Sequence, residues 1–116
     1  MLEGVNTPLV TPHLSGSRPD LEGMKRLMDF AIEGGVRAIC IAGTTGEFLH
    51  FSLPDRARML QAAVQHNRAP ILAGIGHATL EGALELARAA SDAGAAALLV
   101  MPPYFFRYGQ DDVREF

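Results

Sequence analysis

The chain has 116 residues, of which 48% are hydrophobic and 20% are charged. This apolar content supports one small domain with a core and excludes a disordered chain. The net charge of −3 and the scattered basic residues exclude a surface specialised for nucleic acids or anionic membranes. Because no basic-then-apolar leader and no run of membrane-spanning length appears, we expect a cytoplasmic protein.

The first part of the chain predicts a strand followed by a helix. Residues 5–12 are β-prone, and 13–19 form a predicted loop. Asp20 is a predicted N-cap, and Gly34-Gly35 ends the helix. The apolar residues in between recur at helical spacing, which predicts one buried stripe. That stripe consists of Leu21, Met24, Leu27, Met28, Ala31 and Ile32.

A second strand and a second helix follow. Residues 36–43 form a continuous apolar run, which is typical of a strand covered on both faces in a parallel sheet. Ser52, Pro54 and Asp55 resemble a capping box with proline in the first turn. The predicted inward stripe of this helix is Leu53, Ala57, Leu60, Ala63 and Val64.

The remaining sequence predicts a third unit and a fourth strand. Residues 70–75 are the third strand, and Thr79 caps a helix that ends at Gly94. The inward residues of this helix are predicted to be Ala83, Leu84, Ala87 and Ala90. Residues 97–101 predict a buried fourth strand, and a last helix begins near Gln110 or Asp111.

This alternation predicts parallel βα repeats in an α/β fold. The segments EGGVRAICIAG and DAGAAALLVMP echo each other, which indicates a repeated unit. Two architectures fit: an open doubly wound sheet, or part of a (β/α)₈ barrel. Since a whole barrel needs about 250 residues, residues 1–116 correspond to a single partial barrel of four strands without an internal boundary.

The stretch ICIAGTTGEF, residues 39–48, breaks from an apolar run into two glycines enclosing two threonines. Both architectures bind ligands at the carboxyl ends of the strands, where Thr44 and Thr45 would lie. Their hydroxyls and backbone N–H groups suit a carboxylate or phosphate, and Gly43 and Gly46 permit a close turn. The alternative is a tight turn whose threonines satisfy their own backbone.

Four aromatic residues follow the fourth predicted strand. Tyr104, Phe105, Phe106 and Tyr108 are predicted to pack against a neighbouring element or subunit. The alternative is an aromatic residue at the mouth of the barrel whose hydroxyl relays a proton.

Other residues predict neither a metal site nor a cofactor site. His13, His50 and His66 lack partners at metal-ligand spacing. His77 is predicted to be a turn residue rather than a general base, and residues 74–79 are an incomplete dinucleotide fingerprint. Cys40, the single cysteine, is predicted to be a buried core residue.

Four motifs together resemble the dihydrodipicolinate synthase / N-acetylneuraminate lyase family. They are GTTGE at 43–47, NTPLVTP at 6–12, GIGHAT at 74–79 and PPYFF at 102–106, in order over essentially the whole chain. The resemblance implies the N-terminal half of a (β/α)₈ TIM barrel, in a homo-oligomer (dimer or tetramer). It also implies a Schiff-base lyase of the aldolase type acting on pyruvate or another 2-oxo acid, without a cofactor.

The family's motifs assign roles to matching positions. Thr44, Thr45 and Gly46 would bind the substrate carboxylate, while Thr44 and Tyr104 would serve the proton relay. Phe105 stands where the family's synthases often carry a second tyrosine, and phenylalanine cannot relay a proton. Synthesis of dihydrodipicolinate and cleavage of a sugar acid or other 2-oxo acid therefore both remain open.

The Schiff-base lysine of the family lies on the sixth barrel strand, which these residues do not include. The only lysine is Lys25, which is predicted on a solvated flank of the first helix. We therefore expect this chain by itself to lack lyase activity. Two alternatives to a piece of a lyase remain. One is an open α/β module that binds a small anion, and the other is a non-enzymatic half barrel that pairs with its own copy.

Overall fold

The computed structural model describes residues 2–116. Its strands are β1 (Asn6–Pro8), β2 (His13–Leu14), β3 (Arg18–Pro19), β4 (Ala38–Ile41), β5 (Ile71–Gly74) and β6 (Ala97–Leu99). Its α-helices are α1 (Leu21–Glu33), α2 (Leu53–His66), α3 (Leu80–Ala93) and α4 (Gln110–Glu115), and Phe48–His50 form a 3₁₀ turn.

Four strands form a parallel sheet in the order β1-β4-β5-β6. The register pairs Thr7 with Ile39, Cys40 with Leu72, and Ala73 with Leu98. Each successive strand therefore adds to the same side of the sheet. A doubly wound sheet would instead reverse direction at a switch point, so the observed order matches the first four strands of a barrel.

The helices share one face of the sheet, because α1 packs on α2 and α2 packs on α3. The core between helices and sheet includes Met24 and Met28 from α1, Ile39 and Ile41 from β4, and Leu60 from α2. All four residues of β4 are buried, as the continuous apolar run predicts. This layer holds the carboxyl ends of the central strands at fixed positions.

The helix ends confirm the caps predicted from sequence. The Asp20 carboxylate accepts a hydrogen bond from the Gly23 N–H at 2.9 Å, and the Ser52 hydroxyl accepts one from the Asp55 N–H at 3.2 Å. Thr79 caps α3 in the same way, and Gly94 ends that helix at φ 92°. These side chains satisfy backbone donors that a helix leaves unpaired in its first turn.

The fourth barrel strand is not buried, which corrects a prediction. Leu98, Leu99 and Val100 are 42%, 49% and 61% exposed. The reason is that β6 is the last strand of the sheet, so no strand covers its outer edge. A second correction concerns residues 13–19, where β2 and β3 form a small antiparallel hairpin instead of a loop.

Two predicted helix faces are partly wrong. Leu84 is 43% exposed, and Leu86 is the buried leucine of α3. On α2 the buried residues include Arg56 and Met59, which lay outside the predicted stripe. Within residues 2–116, no helix has the length and apolar character that crossing a membrane requires.

Candidate functional site

A cavity of about 220 Å³ opens at the carboxyl ends of the central strands. Gly43 and Thr44 follow β4 on one side, while Gly74 and Gly76 lie at the end of β5 on the other. Phe48 also lines this cavity. Most of the lining is apolar, and among the described residues Thr44 is the one in the lining whose side chain carries a hydroxyl.

The chain leaves β4 through a tightly bonded turn. The Gly46 N–H donates to the Gly43 carbonyl at 3.1 Å, and the Glu47 N–H donates to the Thr44 carbonyl at 3.0 Å. Ala42 and Glu47 flank the turn with φ of 58° and 53°, the left-handed region that non-glycine residues rarely adopt. Such conformations persist only where surrounding contacts enforce them, and they cluster at ligand sites.

Gly46 is buried within this turn. The Thr11 hydroxyl donates to the Gly46 carbonyl at 2.8 Å. A Cβ at Gly46 would lie 3.0 Å from the Leu9 carbonyl oxygen. The N–H and the C=O of Gly46 are thus both engaged within the protein, and its side of the turn is pinned to the segment after β1.

Thr44 and Thr45 are both exposed, but only Thr44 lines the cavity. Among the hydrogen bonds of residues 2–116, none holds either side-chain hydroxyl. The turn is closed by backbone bonds, so the threonine hydroxyls are not consumed in forming it. This arrangement leaves them available to a ligand, in contrast to the alternative in which they satisfy their own backbone.

Tyr104 is brought to the same region through Phe48. The two rings meet edge to face, with centroids 6.2 Å apart and an interplanar angle of 84°. Phe105 turns away from this contact, with φ 90° and 89% exposure, and its ring packs on Phe106. Tyr104 thus contacts a residue that lines the cavity, whereas Phe105 and Phe106 face outward.

Arg56 is a buried group at the site that the sequence analysis missed. It lies on α2 and is 2% exposed. Its Nη1 donates to the Gly76 carbonyl at 2.7 Å, and its Nη2 donates to the Gly74 carbonyl at 3.0 Å. Burial lowers the pKa of the guanidinium to about 10, an effect that nearby Tyr104 opposes, so Arg56 is charged at neutral pH. The missed signal was the 3-4-3 spacing of residues 53, 56, 60 and 63, which places Arg56 on the inward stripe.

The other candidate residues do not line the cavity. Lys25 is partly exposed on α1, and its Nζ lies 2.8 Å from Glu22 Oε1. His77 Nδ1 accepts from the Thr79 N–H at 3.1 Å, which gives it a turn role. Cys40 is buried, and burial raises the pKa of its thiol. Across residues 2–116, no group of three or more acidic, histidine or cysteine side chains is placed to hold a metal ion.

Comparisons with known proteins identify one family. The model of the Dihydrodipicolinate synthetase family matches residues 1–116. A 4-hydroxy-tetrahydrodipicolinate synthase from Nitrosococcus oceani is 40% identical over 113 residues, covering 96% of this chain and 39% of that protein.

Two solved structures show the same architecture. The 2-keto 3-deoxygluconate aldolase from Picrophilus torridus superposes with a TM-score of 0.93 at 27% identity, over 99% of this chain and 42% of that one. YagE from E. coli K12, a prophage protein of the dihydrodipicolinic acid synthase family solved in complex with pyruvate, gives 0.90 at 27% identity, over 97% and 38%. The chain thus spans about two-fifths of the length of the proteins it matches.

Proposed function

This chain belongs to the dihydrodipicolinate synthetase family, and from that premise we propose that it forms the carboxylate-binding part of a Schiff-base lyase. The substrate would be pyruvate or a related 2-oxo acid. The observation that carries the proposal is the cavity at the carboxyl ends of β4, β5 and β6, with Thr44 in its wall. The aldolase and synthase names of the matched proteins support a lyase-type reaction in general.

The turn after β4 has the properties that a carboxylate site needs. Its backbone is locked by its own hydrogen bonds, so donors at Thr44 and Thr45 are held before any ligand arrives. Pre-oriented donors stabilise a fixed negative charge without having to reorganise. YagE was solved with pyruvate, which fits a site for a small 2-oxo acid.

Tyr104 would act with Thr44 in moving protons. Its ring is fixed against Phe48, which lines the cavity beside Thr44. A hydroxyl pair at the mouth of a barrel can pass a proton to and from a substrate oxygen. Phe105 has no hydroxyl, so this chain offers one phenol in the segment 102–106.

The amine of the Schiff base would come from elsewhere in a longer protein. In this reaction a deprotonated lysine adds to the ketone, water leaves, and the protonated imine accepts the electrons of the breaking carbon–carbon bond. A reactive lysine needs a desolvated setting that lowers its pKa. Lys25 is instead partly exposed and paired with Glu22. By itself, therefore, the 116-residue chain should form no imine.

Phe105 and Phe106 form an outward-facing aromatic pair, which we assign to a subunit contact. Their side chains are 89% and 70% exposed. Exposed aromatic residues packed on one another are enriched at protein interfaces. A dimer or tetramer of the whole protein would bury them.

The carboxylate site can be tested directly. The amide NMR spectrum of the chain is titrated with pyruvate, and we expect the signals of residues 43–48 to shift. Acetone, which keeps the ketone but lacks the carboxylate, should leave them in place. Thr44→Val and Thr45→Val should each weaken pyruvate binding on the order of tenfold, while the control Thr7→Val should not. Equal responses to acetone and pyruvate would contradict the assignment.

The absence of imine formation is tested on the same sample. The chain is incubated with pyruvate and sodium borohydride, which would reduce an imine to a stable secondary amine, and its mass is measured. We expect the mass of the unmodified chain. A covalent pyruvate adduct at Lys25 would show that this chain carries its own reactive amine.

The second candidate function is an open α/β module that binds a small anion without catalysis. The turn geometry supports anion binding equally well. The exposed apolar strand β6 favours the partial barrel over a finished module. A cooperative urea transition of a monomer that binds no apolar dye would favour the module, and a dye-binding species would favour the partial barrel.

A further inference from the structure

Arg56 is a buried cation that the proposed chemistry does not use. Its side chain is 2% exposed, although arginine is among the residues least often buried. Its Nε is also buried and lacks a hydrogen-bond partner among the described residues. A hydrocarbon side chain would fill the same space without a desolvated charge, and such replacements are often neutral or stabilising. Packing alone therefore does not account for a guanidinium here.

The contacts of Arg56 converge on the cavity wall. The two Nη groups bind the carbonyls of Gly74 and Gly76 at 3.0 and 2.7 Å, and both glycines line the cavity. These carbonyls lie at the end of β5, 18 and 20 residues along the chain from Arg56. A planar guanidinium fork fixes two acceptors at once, which a lysine ammonium cannot do with the same geometry.

The guanidinium of Arg56 also contacts an aromatic ring. The Arg56 Cζ atom lies 4.7 Å from the centroid of the Phe48 ring. This distance is within the range of a cation–π interaction, which strengthens when the cation is desolvated. Phe48 in turn packs on Tyr104. One charged group therefore contacts both sides of the cavity and, through Phe48, the tyrosine.

Gly76 has two side chains close to its backbone. A Cβ at Gly76 would lie 2.8 Å from Met101 Cε and 3.5 Å from Phe48 Cζ. The Met101 side chain and the Phe48 ring therefore both lie close to the Gly76 backbone. Phe48 begins the 3₁₀ turn that directly follows the bonded turn at residues 43–47.

We propose that Arg56 is a positioning residue that sets the shape of the cavity by joining the end of β5 to Phe48. It touches no substrate in this role and acts through Gly74, Gly76 and Phe48. The part of this inference that concerns ligand affinity rests on the proposed carboxylate site. The part that concerns geometry stands without a ligand.

The test uses three variants of the 116-residue chain. Arg56→Met keeps an unbranched side chain and removes the charge, and Arg56→Lys keeps the charge and removes the fork. Met59→Ala is the matched control, because Met59 is fully buried on the same helix and does not line the cavity. Urea unfolding ranks the stability of the variants, and amide NMR spectra with and without pyruvate report geometry and affinity.

Positioning by Arg56 predicts a specific pattern. Arg56→Met should shift the amide signals of Gly76, Phe48 and Thr44 and weaken pyruvate binding by about tenfold to a hundredfold, the range expected for misplaced binding groups. Arg56→Lys should lie between Arg56→Met and the wild type. Met59→Ala should be less stable than the wild type but bind pyruvate with the same affinity.

Two results would overturn the proposal. One is an Arg56→Met chain whose Thr44 and Phe48 signals and pyruvate affinity equal those of the wild type. The other is a Met59→Ala chain that loses as much affinity as Arg56→Met. If the wild type itself binds no pyruvate, the carboxylate site is wrong, and the amide shifts alone decide the role of Arg56. Should Arg56→Met not fold, Arg56→Lys supplies the same comparison.

Discussion

Gly74 on β5 lies directly against the Ala42 carbonyl at the end of β4, so that a Cβ at Gly74 would overlap this carbonyl oxygen. Ala42 itself has a left-handed backbone, with φ 58°. Both Ala42 and Gly74 border the cavity at this contact. A glycine is required at residue 74 because of this contact, and not because of its own backbone angles.

Gly74→Ala should destabilise the chain. The added methyl group must displace the Ala42 backbone, and overpacking of this kind costs about 1–3 kcal/mol. Urea unfolding measures the difference in free energy of unfolding. Gly109→Ala is the control, because a Cβ there is 3.4 Å from Asp112 Oδ2, an ordinary contact. Equal stability of the two variants would show that the β4–β5 approach is looser than described.

Asp20→Ala should lower the free energy of unfolding by about 1 kcal/mol, the usual effect of losing an N-cap. The lost contact is the 2.9 Å hydrogen bond from the Gly23 N–H to the Asp20 carboxylate. Thermal or urea unfolding followed by circular dichroism gives the change. Asp92→Ala, an exposed position near the end of α3, serves as the matched control and should stay within a few tenths of a kcal/mol. A loss that is equal in both variants would rule out a capping effect.

The Cys40 thiol should react slowly with a thiol reagent in the folded chain. The side chain is 8% exposed, and burial raises the pKa of the thiol above the ordinary 9.0, so little thiolate forms at neutral pH. We expect labelling at pH 8 to be slower than in urea by a factor on the order of 100, if reaction requires local opening. Rapid labelling without denaturant would place Cys40 at an accessible surface.

The same thiol predicts a pH dependence of stability. Because the pKa in the folded state is raised, the folded state holds the proton more tightly than the unfolded chain does. The stability that the protonated Cys40 thiol contributes is fully present below pH 9.0, the ordinary thiol pKa. This stability is lost as the pH rises through the raised pKa of the folded state. The stability difference between the wild type and Cys40→Ala should shift against the wild type above that pH. A difference that is constant from pH 7 to about 10.5 would contradict the raised pKa.

Self-association of the chain should depend on β6. Leu98 is 42% exposed on the uncovered edge strand, and Val100, directly after that strand, is 61% exposed; such an edge invites pairing with another chain. The double variant Leu98→Lys, Val100→Lys should sediment with a smaller apparent mass than the wild type at the same concentration. Leu14→Lys, at an exposed leucine of the β2–β3 hairpin, should leave association unchanged. Association that persists in the double variant would place the contact elsewhere.

Much of the fold could be predicted from residue patterns that act locally. The caps at Asp20, Ser52 and Thr79 are confirmed, because each side chain needs only the next turn of its own helix. The buried strand β4 is confirmed as well, since an uninterrupted apolar run has few other stable placements. The predicted order of the four barrel strands and four helices is therefore confirmed, and the β2–β3 hairpin is the addition.

The errors concern residues whose environment is set by distant parts of the chain. Leu98 resembles Ile39 in sequence context, but Leu98 lies on the edge strand and Ile39 in the middle of the sheet. Leu84 was predicted inward because its spacing fits a stripe, but it lines an open cavity with Leu98 and Val113 and is 43% exposed. Burial depends on which other elements pack against a residue, and the local sequence pattern does not specify those elements.

The candidate site could likewise be predicted only in part. Sequence alone identified the glycine–threonine turn and Tyr104 as candidates, because glycines and hydroxyl side chains that follow an apolar run can be recognised from the sequence. Only the tertiary structure placed Thr44 and Phe48 in the wall of one cavity, with Tyr104 packed on Phe48, and only it showed Arg56 spanning the end of β5 and the Phe48 ring. The physical reason is that hydrogen bonds and ring contacts across 18 to 56 residues of chain are set by how separate elements pack on one another. Local propensity fixes where each helix and strand forms, whereas packing decides which of their side chains meet.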